Sequence, residues 1–267
     1  MLIETDIFGV THDKVAMAID RIKTFEPPEG FYVAFSGGKD SVVILDLVKR
    51  SGVKFDAHYN ITGIDPPELY YFIRDQHPEV QRHRPEMTMW ALIVKKMMPP
   101  TRLVRYCCEY LKERGGTDRT VMTGVRWAES NKRSKRRVNE ACFRDSRKHY
   151  LNPIIDWSDG DVWDYIHTYG VIYCDLYDQG FKRLGCIGCP MAGKNRLKEF
   201  ERWPRYEKQY RKAFAAAAAA RNLKQCSQEW ADNHPLLQSW TDGDSMWKWW
   251  MDEKRTKEDP DQTVMYE

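Results

Sequence analysis

A short polar turn, residues 36–41, contains the side chains of this sequence that are best suited to bind phosphate. In chain order its residues are Ser36, Gly37, Gly38, Lys39, Asp40 and Ser41. The adjacent glycines allow positive φ angles and a close approach of the backbone to a ligand. A helix that begins inside the turn adds unpaired amide groups and a dipole, which both attract an anion. We therefore predict a pyrophosphate site in which Lys39 and Asp40 are catalytic; the alternative is a tight turn with an incidental lysine.

Four of the seven cysteines form two close pairs. Cys107 directly precedes Cys108, and Cys186 lies three positions before Cys189 in a glycine-flanked Cys-x-x-Cys segment. Such a segment presents two thiolates to one metal, and a second pair would complete four ligands. By sequence alone zinc suits four thiolates as well as iron does. A redox pair at Cys186 and Cys189, with the other two cysteines buried, is a further interpretation. We expect the remaining cysteines to be small buried residues: Cys142, Cys174 and Cys226.

Five apolar runs, separated by helical patterns, predict the sheet that positions these residues. The first run, residues 31–35, is unbroken and suits a central strand that is covered on both faces. The others are residues 55–61, 80–84, 119–125 and 150–154. The fold class is therefore α/β, a Rossmann-like parallel sheet of about five strands flanked by helices. Residues 1–194 are predicted to form this domain with an N-terminal helix, and residues 195–267 a helical appendage.

Polar residues follow two of the predicted strands. Thr62 and Gly63 come after the second strand, and Gly124, Arg126 and Glu129 come after the fourth. Because ligands of α/β sheets bind at the carboxyl ends of strands, these residues are predicted to lie beside the pyrophosphate loop and its ligand. A guanidinium group suits phosphate, so Arg126 is also a candidate catalytic residue. For residues 62–63 a simple turn is an equal alternative.

Composition sets few limits on the partners. The 267 residues include 42 basic and 39 acidic side chains, a net charge of +3 that neither requires nor excludes nucleic acid. A basic run could bind a polyanion or form a solvated face: Lys132, Arg133, Lys135, Arg136 and Arg137. With no membrane-length apolar run and no signal pattern, we expect a cytoplasmic protein. Five of the ten tryptophans follow Ala220, and core packing is the favoured interpretation for them.

The turn at residues 36–41 matches the pyrophosphate loop of the adenine-nucleotide α-hydrolase (PP-loop) superfamily. Residues 31–190 resemble one of its branches, the phosphoadenosine phosphosulfate reductase family, through segments at 124–130, 153–163 and 177–190. This resemblance implies ATP or another adenine nucleotide as ligand, with Mg²⁺ near Asp40. The cysteine set is also similar to that of adenylylsulfate reductases and DNA phosphorothioation enzymes. By this resemblance, Cys107, Cys108, Cys186 and Cys189 would hold a [4Fe–4S] cluster.

Three functions follow as expectations from the resemblance. The favoured one is ATP-dependent sulfur transfer from a sulfur donor, with nucleic acid as one conceivable acceptor. The second is reduction of a sulfonucleotide to sulfite, with a dithiol reductant. The family places the nucleophile of that reaction in a Glu-Cys-Gly-Leu-His motif, whereas here Cys226 is the only cysteine after Cys189 and lies in a different context. The third is a nucleotide-binding module without catalysis. The sequence specifies neither the oligomeric state nor the sulfur donor.

Overall fold

The computed structural model describes residues 2–5, 8–142, 145, 147–224 and 240–252. The chain divides into two units by its contacts. The first consists of Met1–Asn60, Pro67–His83 and Arg114–Gly185. The second consists of Ile61–Pro66, Arg84–Glu113 and the described part of Cys186–Glu267. The division into residues 1–194 and 195–267 was based on sequence patterns and not on contacts, and it stays a prediction.

A six-stranded sheet forms the centre of the first unit. Its strands are β3 (Phe31–Ala34), β4 (Phe55–Asn60), β5 (Gln81–His83), β6 (Thr120–Met122), β7 (Asn139–Ala141) and β8 (His149–Leu151). Their order is β5-β4-β3-β6-β8-β7, and every pair is parallel except β7–β8. The α/β class and all five predicted strands are confirmed. The expected strand count was one too low, because β7 is a short edge strand without an apolar run.

The chain reverses its direction of travel across the sheet between β3 and β6. It runs outward from β3 through β4 to β5 and then returns to β6 on the other side of β3. Helices α1 (Lys14–Thr24), α2 (Lys39–Ser51), α3 (Pro67–Gln76) and α6 (Asp159–Tyr169) belong to the same unit. Helix α2 packs against both α1 and α6. Such a reversal opens a crevice at the carboxyl ends of the two strands, and the loop at residues 36–41 follows β3 directly.

The N-terminal region contains more than the predicted helix. Strands β1 (Ile3–Thr5) and β2 (Thr11–Asp13) pair as an antiparallel hairpin ahead of α1. Both strands are exposed, so they lack the alternating apolar pattern that marks a half-buried strand. Helix α1 starts where Asp13 accepts hydrogen bonds from the amides of Val15 and Ala16, at 2.8 and 3.0 Å.

Helices make up the described part of the second unit. They are α4 (Met89–Lys96), α5 (Tyr106–Leu111), α7 (Asn195–Arg202), α8 (Pro204–Lys224) and α9 (Gly243–Met251). Helix α8 packs against α4, α7 and α9. An aromatic core lies between them and contains Phe200, Tyr210, Phe214, Trp247 and Trp250. None of the described helices has the length and hydropathy of a membrane span.

Core packing therefore accounts for three of the C-terminal tryptophans. Trp240, Trp247 and Trp250 are buried, which agrees with the interpretation favoured from the sequence. Trp230 and Cys226 lie outside the described residues. The indole N–H of Trp250 donates to the carbonyl oxygen of Pro100 at 2.7 Å, so this ring has a partner for its polar atom.

A buried carboxylate fixes the start of α6. Asp161 is 1% exposed and accepts hydrogen bonds from the amide and the hydroxyl of Ser158, both at 2.8 Å. The ammonium group of Lys14 lies 2.8 Å from the same carboxylate and joins α1 to α6. Burial works to raise the pKa of Asp161, but Lys14 and Ser158 outweigh it and hold this pKa below the usual value. The ionised form is therefore stabilised by folding.

We expect Asp161→Asn to lower the free energy of unfolding by about 1–3 kcal/mol at neutral pH, because Lys14 loses a charged partner. Since the folded pKa lies below the unfolded one, this stabilisation is complete above about pH 5 and is lost as the pH falls through the acidic range. Urea unfolding at a series of pH values measures the difference. Asp20→Asn, an exposed aspartate of α1, is the control, and a difference that does not shrink at low pH would contradict the assignment.

Candidate active site

The loop at residues 36–41 leads from β3 into α2. Gly37 has a φ of +72°, and a Cβ there would lie 2.7 Å from Leu69 Cδ1 and 2.8 Å from Ile73 Cδ1 of α3. A side chain is therefore excluded both by the backbone and by the neighbouring helix. Gly38 is the extended residue before the helix, with no side chain to cap it. The first amides of α2 therefore depend on acceptors other than a capping side chain of residue 38.

The two serines of the loop contact each other across the turn. The Ser36 hydroxyl lies 3.3 Å from the Ser41 hydroxyl, which in turn donates to the carbonyl oxygen of Gly38 at 2.8 Å. The Ser41 amide also donates to Gly38 O, at 2.9 Å. These bonds close the loop around the first turn of α2.

Two cations and two carboxylates form a continuous network at the start of α2. Lys39 Nζ lies 3.2 Å from Asp40 Oδ2 and 3.1 Å from Asp159 Oδ1. Arg126 bridges the same pair of acids, with Nε 2.7 Å from Asp40 Oδ1 and Nη2 2.5 Å from Asp159 Oδ1. A third bond runs from Arg126 Nη1 to the carbonyl oxygen of Trp157, at 3.2 Å. The structure thus brings the three predicted catalytic residues, Lys39, Asp40 and Arg126, together.

The network contains one residue that was not among the predicted site residues. Asp159 lies in the first turn of α6, and its carboxylate lies between Lys39 and Arg126. Burial opposes ionisation there, but the two cations hold the pKa of Asp159 below the usual value. Burial likewise acts against the charged form of Arg126, yet Asp40 and Asp159 raise its pKa. With two charges of each sign, the network is electrically neutral as a whole.

A tyrosine hydroxyl already contacts the start of α2. Tyr177 accepts a hydrogen bond from the Lys39 amide at 2.9 Å, and its oxygen would lie 3.5 Å from a Cβ on Gly38. Burial raises the pKa of this phenol, so the hydroxyl stays neutral. The sequence contained Tyr177 in a segment that resembles the family, but its contact with residue 39 spans 138 positions and left no local signal.

The segment after β6 approaches α2 through Gly124. A Cβ on this glycine would lie 2.9 Å from Asp40 Cβ and 3.1 Å from the Asp40 carbonyl carbon and oxygen. Two residues later Arg126 enters the network. Glu129 closes the turn that follows: it accepts the Arg126 amide at 2.9 Å and pairs with Arg133. The role of Glu129 at a nucleotide stays a prediction.

The second unit contains the four paired cysteines. Cys107 and Cys108 lie in the first turn of α5, and Cys186 and Cys189 form a turn closed by a 3.2 Å bond from the Cys189 amide to Cys186 O. The turn is held on both sides. The Ile187 amide donates to Ile64 O at 2.7 Å, and Tyr210 donates to Ile187 O at 3.0 Å.

Burial and neighbouring groups shift the pKa values of Cys107, Cys108 and Cys186. A hydrogen bond with Cys108, burial and the nearby Cys186 and Cys189 raise the pKa of Cys107. The pKa of Cys108 is lowered, first by its bond with Cys107 and then by Arg105, whose Nη2 lies 3.4 Å from Cys108 Sγ. Burial raises the pKa of Cys186 to about 12, although a nearby lysine, Lys112, opposes this. The side chains are therefore neighbours in a setting that includes two cations.

Among the described residues, no group of three or more His, Cys, Asp or Glu side chains is arranged to hold a single metal ion. Thr62, expected to face the nucleotide, lies in this unit with its hydroxyl 4.0 Å from Cys186 Sγ. The nucleotide roles of Thr62 and of its neighbour Gly63 stay predictions.

Comparison with known proteins assigns most of these residues to one domain family. Residues 30–192, more than half of the chain, match the family model of the phosphoadenosine phosphosulfate reductase domain. An uncharacterized protein from Methanocaldococcus jannaschii is 31% identical over 241 residues, which cover 81% of this chain and 45% of that protein. The chain thus spans less than half the length of this relative.

Two relatives with named activities are more distant. An adenosine 5′-phosphosulfate reductase from Oceanobacillus iheyensis is 26% identical, over 58% of this chain and 69% of the reductase. A probable FAD synthase from Schizosaccharomyces pombe is also 26% identical, over 60% of each chain. The name of each relative refers to a substrate or a product that contains an adenine nucleotide.

We expect Gly124→Ala to weaken nucleotide binding and to lower the melting temperature. The new methyl group meets the backbone of Asp40, and overpacking of this kind costs about 1–3 kcal/mol. Thermal unfolding and equilibrium binding of ATP measure the two effects. Gly160→Ala is the matched control, because a Cβ there has its nearest neighbour at 3.6 Å, in ordinary contact. Equal behaviour of the two variants would show that the approach of residue 124 to α2 does not matter.

Proposed function

Because the chain belongs to the phosphoadenosine phosphosulfate reductase family, we propose that it is an ATP-dependent enzyme that adenylylates a substrate oxygen and then replaces this oxygen with sulfur. Family membership supports adenine-nucleotide binding. The neutral network of Lys39, Asp40, Arg126 and Asp159 at the start of α2 is the observation that carries the proposal. It combines groups that bind phosphate with groups that bind a divalent cation.

The phosphate-binding part consists of the loop with its one cation, Lys39. Phosphate oxygens would accept hydrogen bonds from the first amides of α2, from the Ser36 and Ser41 hydroxyls and from Lys39 Nζ. In the ligand-free loop Lys39 donates to carboxylates and its amide donates to Tyr177. Binding would therefore exchange these acceptors for phosphate oxygens. This exchange keeps the lysine paired in both states, which a buried cation requires.

The two carboxylates fit a magnesium ion. Mg²⁺ is usually bound by one or two carboxylates together with phosphate oxygens and water. Carboxylate oxygens of Asp40 and Asp159 both lie within 3.2 Å of Lys39 Nζ. The two carboxylates are therefore close enough to bind the same metal ion. These two residues would hold Mg²⁺, which would neutralise charge on the leaving pyrophosphate.

The proposed reaction has two displacements. In the first, the substrate oxygen attacks the α-phosphorus of ATP, a new P–O bond forms, and the bond to pyrophosphate breaks. Lys39 and the α2 amides stabilise the charge that develops on pyrophosphate. In the second, a hydrosulfide-level sulfur attacks the activated carbon, the C–O bond breaks, and AMP departs. No net electron transfer occurs, so this sequence requires no external reductant.

The four paired cysteines of the second unit supply the donor set of an iron–sulfur cluster, which is held by cysteine thiolates. Zinc accepts the same four thiolates, so the metal content of the purified protein distinguishes the two. Cys107, Cys108, Cys186 and Cys189 would hold the cluster. Its iron would supply a site with affinity for the sulfur species.

Reduction of a sulfonucleotide to sulfite is the second candidate. The similarity to an adenosine 5′-phosphosulfate reductase favours it, as does a cysteine set close to two cations, Arg105 and Lys112. In that reaction a thiolate attacks sulfur, AMP leaves, and a dithiol releases sulfite. The dithiol is oxidised to a disulfide as sulfur is reduced. No magnesium-bound pyrophosphate forms, so the two candidates differ in product and in metal requirement.

Lys39→Met should abolish ATP turnover, because the variant keeps the length of the side chain but removes the cation that meets the leaving group. We expect the rate of pyrophosphate release, with substrate and Mg²⁺ present, to fall by about 100-fold or more, the scale for loss of one stabilising donor. The measurement uses anaerobically purified protein, with ATP, adenylylsulfate and its 3′-phospho form offered in parallel and pyrophosphate and sulfite both followed.

Lys49→Met is the matched control, since Lys49 lies in the same helix and pairs with Glu79 at the surface. It should retain full activity. Pyrophosphate from ATP that depends on Mg²⁺ and on Lys39 would support the proposal. Sulfite from a sulfonucleotide without Mg²⁺ would establish the second candidate instead. Tight ATP binding with no product would show a nucleotide-binding module.

Cys186→Ser should remove bound iron, because serine offers no thiolate to a cluster. Iron and acid-labile sulfide are measured after anaerobic purification, together with the visible absorption spectrum. Cys142→Ser, a half-buried cysteine of the first unit, is the control and should keep the wild-type iron content. Full iron in Cys186→Ser would refute the ligand assignment, and stoichiometric zinc in the wild type would replace the cluster with a mononuclear site.

A further inference from the structure

An exposed tryptophan lies next to the candidate active site. Trp127 directly follows Arg126 and is 42% exposed, although it is the first residue of a short 3₁₀ turn (Trp127–Glu129). Its indole N–H donates to the carbonyl oxygen of Arg136 at 2.8 Å, and its amide donates to Ile155 O at 2.7 Å. Both ends of the residue are thus fixed while part of the ring faces solvent. An aromatic ring held in this way resembles a stacking surface more than a core residue.

The segment that fixes this ring is basic. The basic loop, residues 127–137, contains two 3₁₀ turns that pack on each other, the second at Arg133–Lys135. Arg133 pairs with Glu129, and Arg136 pairs with Glu140 and lies over the Tyr150 ring. These two arginines are therefore neutralised within the fold. Lys135 and Arg137 have exposed side chains and make no ion pair among the described residues.

The basic loop is anchored to the sheet at its far end as well. Asn152, which is fully buried, donates from its side chain to Arg137 O at 2.9 Å and from its amide to Val138 O at 2.7 Å. The loop therefore has internal bonds, two anchors and a fixed aromatic ring. A basic loop that served only to contact water would not require an exposed tryptophan whose position is fixed by hydrogen bonds.

From this arrangement we propose that the basic loop binds single-stranded nucleic acid, with one base stacked on Trp127 and backbone phosphates on Lys135 and Arg137. Proteins that bind single strands combine aromatic platforms with cations that follow the backbone. The face of a base is accessible in a single strand, whereas in a duplex it is covered by its neighbours. An acidic protein would use the cations but would gain little from the exposed ring.

This inference deepens the proposed function by naming the class of substrate, and its catalytic meaning rests on that function. Arg126, adjacent to Trp127 in the chain, belongs to the network at the start of α2. The residue that would stack on the base is thus the chain neighbour of a residue of the network. Binding itself can be measured without turnover, so the two proposals fail independently.

The test measures fluorescence anisotropy of labelled 12-nucleotide single strands, of DNA and of RNA, on the full chain in the absence of ATP. Trp127→Ala should weaken binding by about fivefold to over a hundredfold, the range for loss of one stacked base. Trp127→Phe should retain most of the affinity because it keeps an aromatic face. Tyr169→Ala, which removes a similarly exposed ring (44%) at the end of α6, should have no effect.

The charge contribution is tested by the salt dependence. Lys135→Ala combined with Arg137→Ala should reduce the slope of log K against log salt by about 1.4, since each phosphate contact to a single strand contributes about 0.7. The control combines Arg205→Ala and Lys208→Ala, two exposed cations of α8. Circular dichroism of each variant verifies the fold.

Each outcome decides the proposal. Binding of a single strand that is lost in Trp127→Ala and kept in Trp127→Phe supports it, and the DNA and RNA strands show which sugar is accepted. Equal affinity for a duplex, equal affinity of Trp127→Ala, or equal binding of polyglutamate would each overturn it. So would absence of binding to any oligonucleotide. Lys39→Met should bind the single strand normally, so an inactive but oligonucleotide-binding protein would overturn only the proposed chemistry.

Discussion

The buried guanidinium of Arg126 is the group on which the arrangement of the candidate site depends. It is 1% exposed, and a buried charge is tolerated only when it is paired and hydrogen-bonded. Its partners are Asp40 of α2, Asp159 of α6 and the carbonyl oxygen of Trp157. One side chain after β6 thereby fixes the starts of two helices. The need to satisfy this cation explains why carboxylates converge where an anion is expected to bind.

The features that the sequence predicted correctly are those with local causes. The strand at residues 31–34 is an apolar run, and Gly37 of the loop serves a positive φ. Each of these depends on residues within a few positions of one another, so a pattern in the chain is sufficient to predict it.

The features that the sequence did not predict depend on contacts between distant residues. Asp159 has the pattern of an acidic residue in a first helical turn, and only the fold shows that it also faces Lys39. Tyr177 contacts the same residue from 138 positions away. Strand β7 is short, exposed and antiparallel, and it exists because β8 offers an edge rather than because its own residues favour a strand. The sequence shows the charges of the basic run. It does not show that Glu129 and Glu140 form ion pairs with two of its arginines.

The neutrality of the network at the start of α2 has a kinetic consequence. A cleft lined by charge of one sign attracts ligands from a distance, and this steering is weakened by salt. Here Lys39 and Arg126 are balanced by Asp40 and Asp159 within about 3 Å. The field of these four groups largely cancels beyond the immediate contact distance, so they contribute little to the rate at which a nucleotide arrives. They act only after encounter, when the charged groups of the ligand replace the ion pairs within the protein. We therefore expect these four groups to discriminate between nucleotides through the dissociation rate constant and not through the association rate constant.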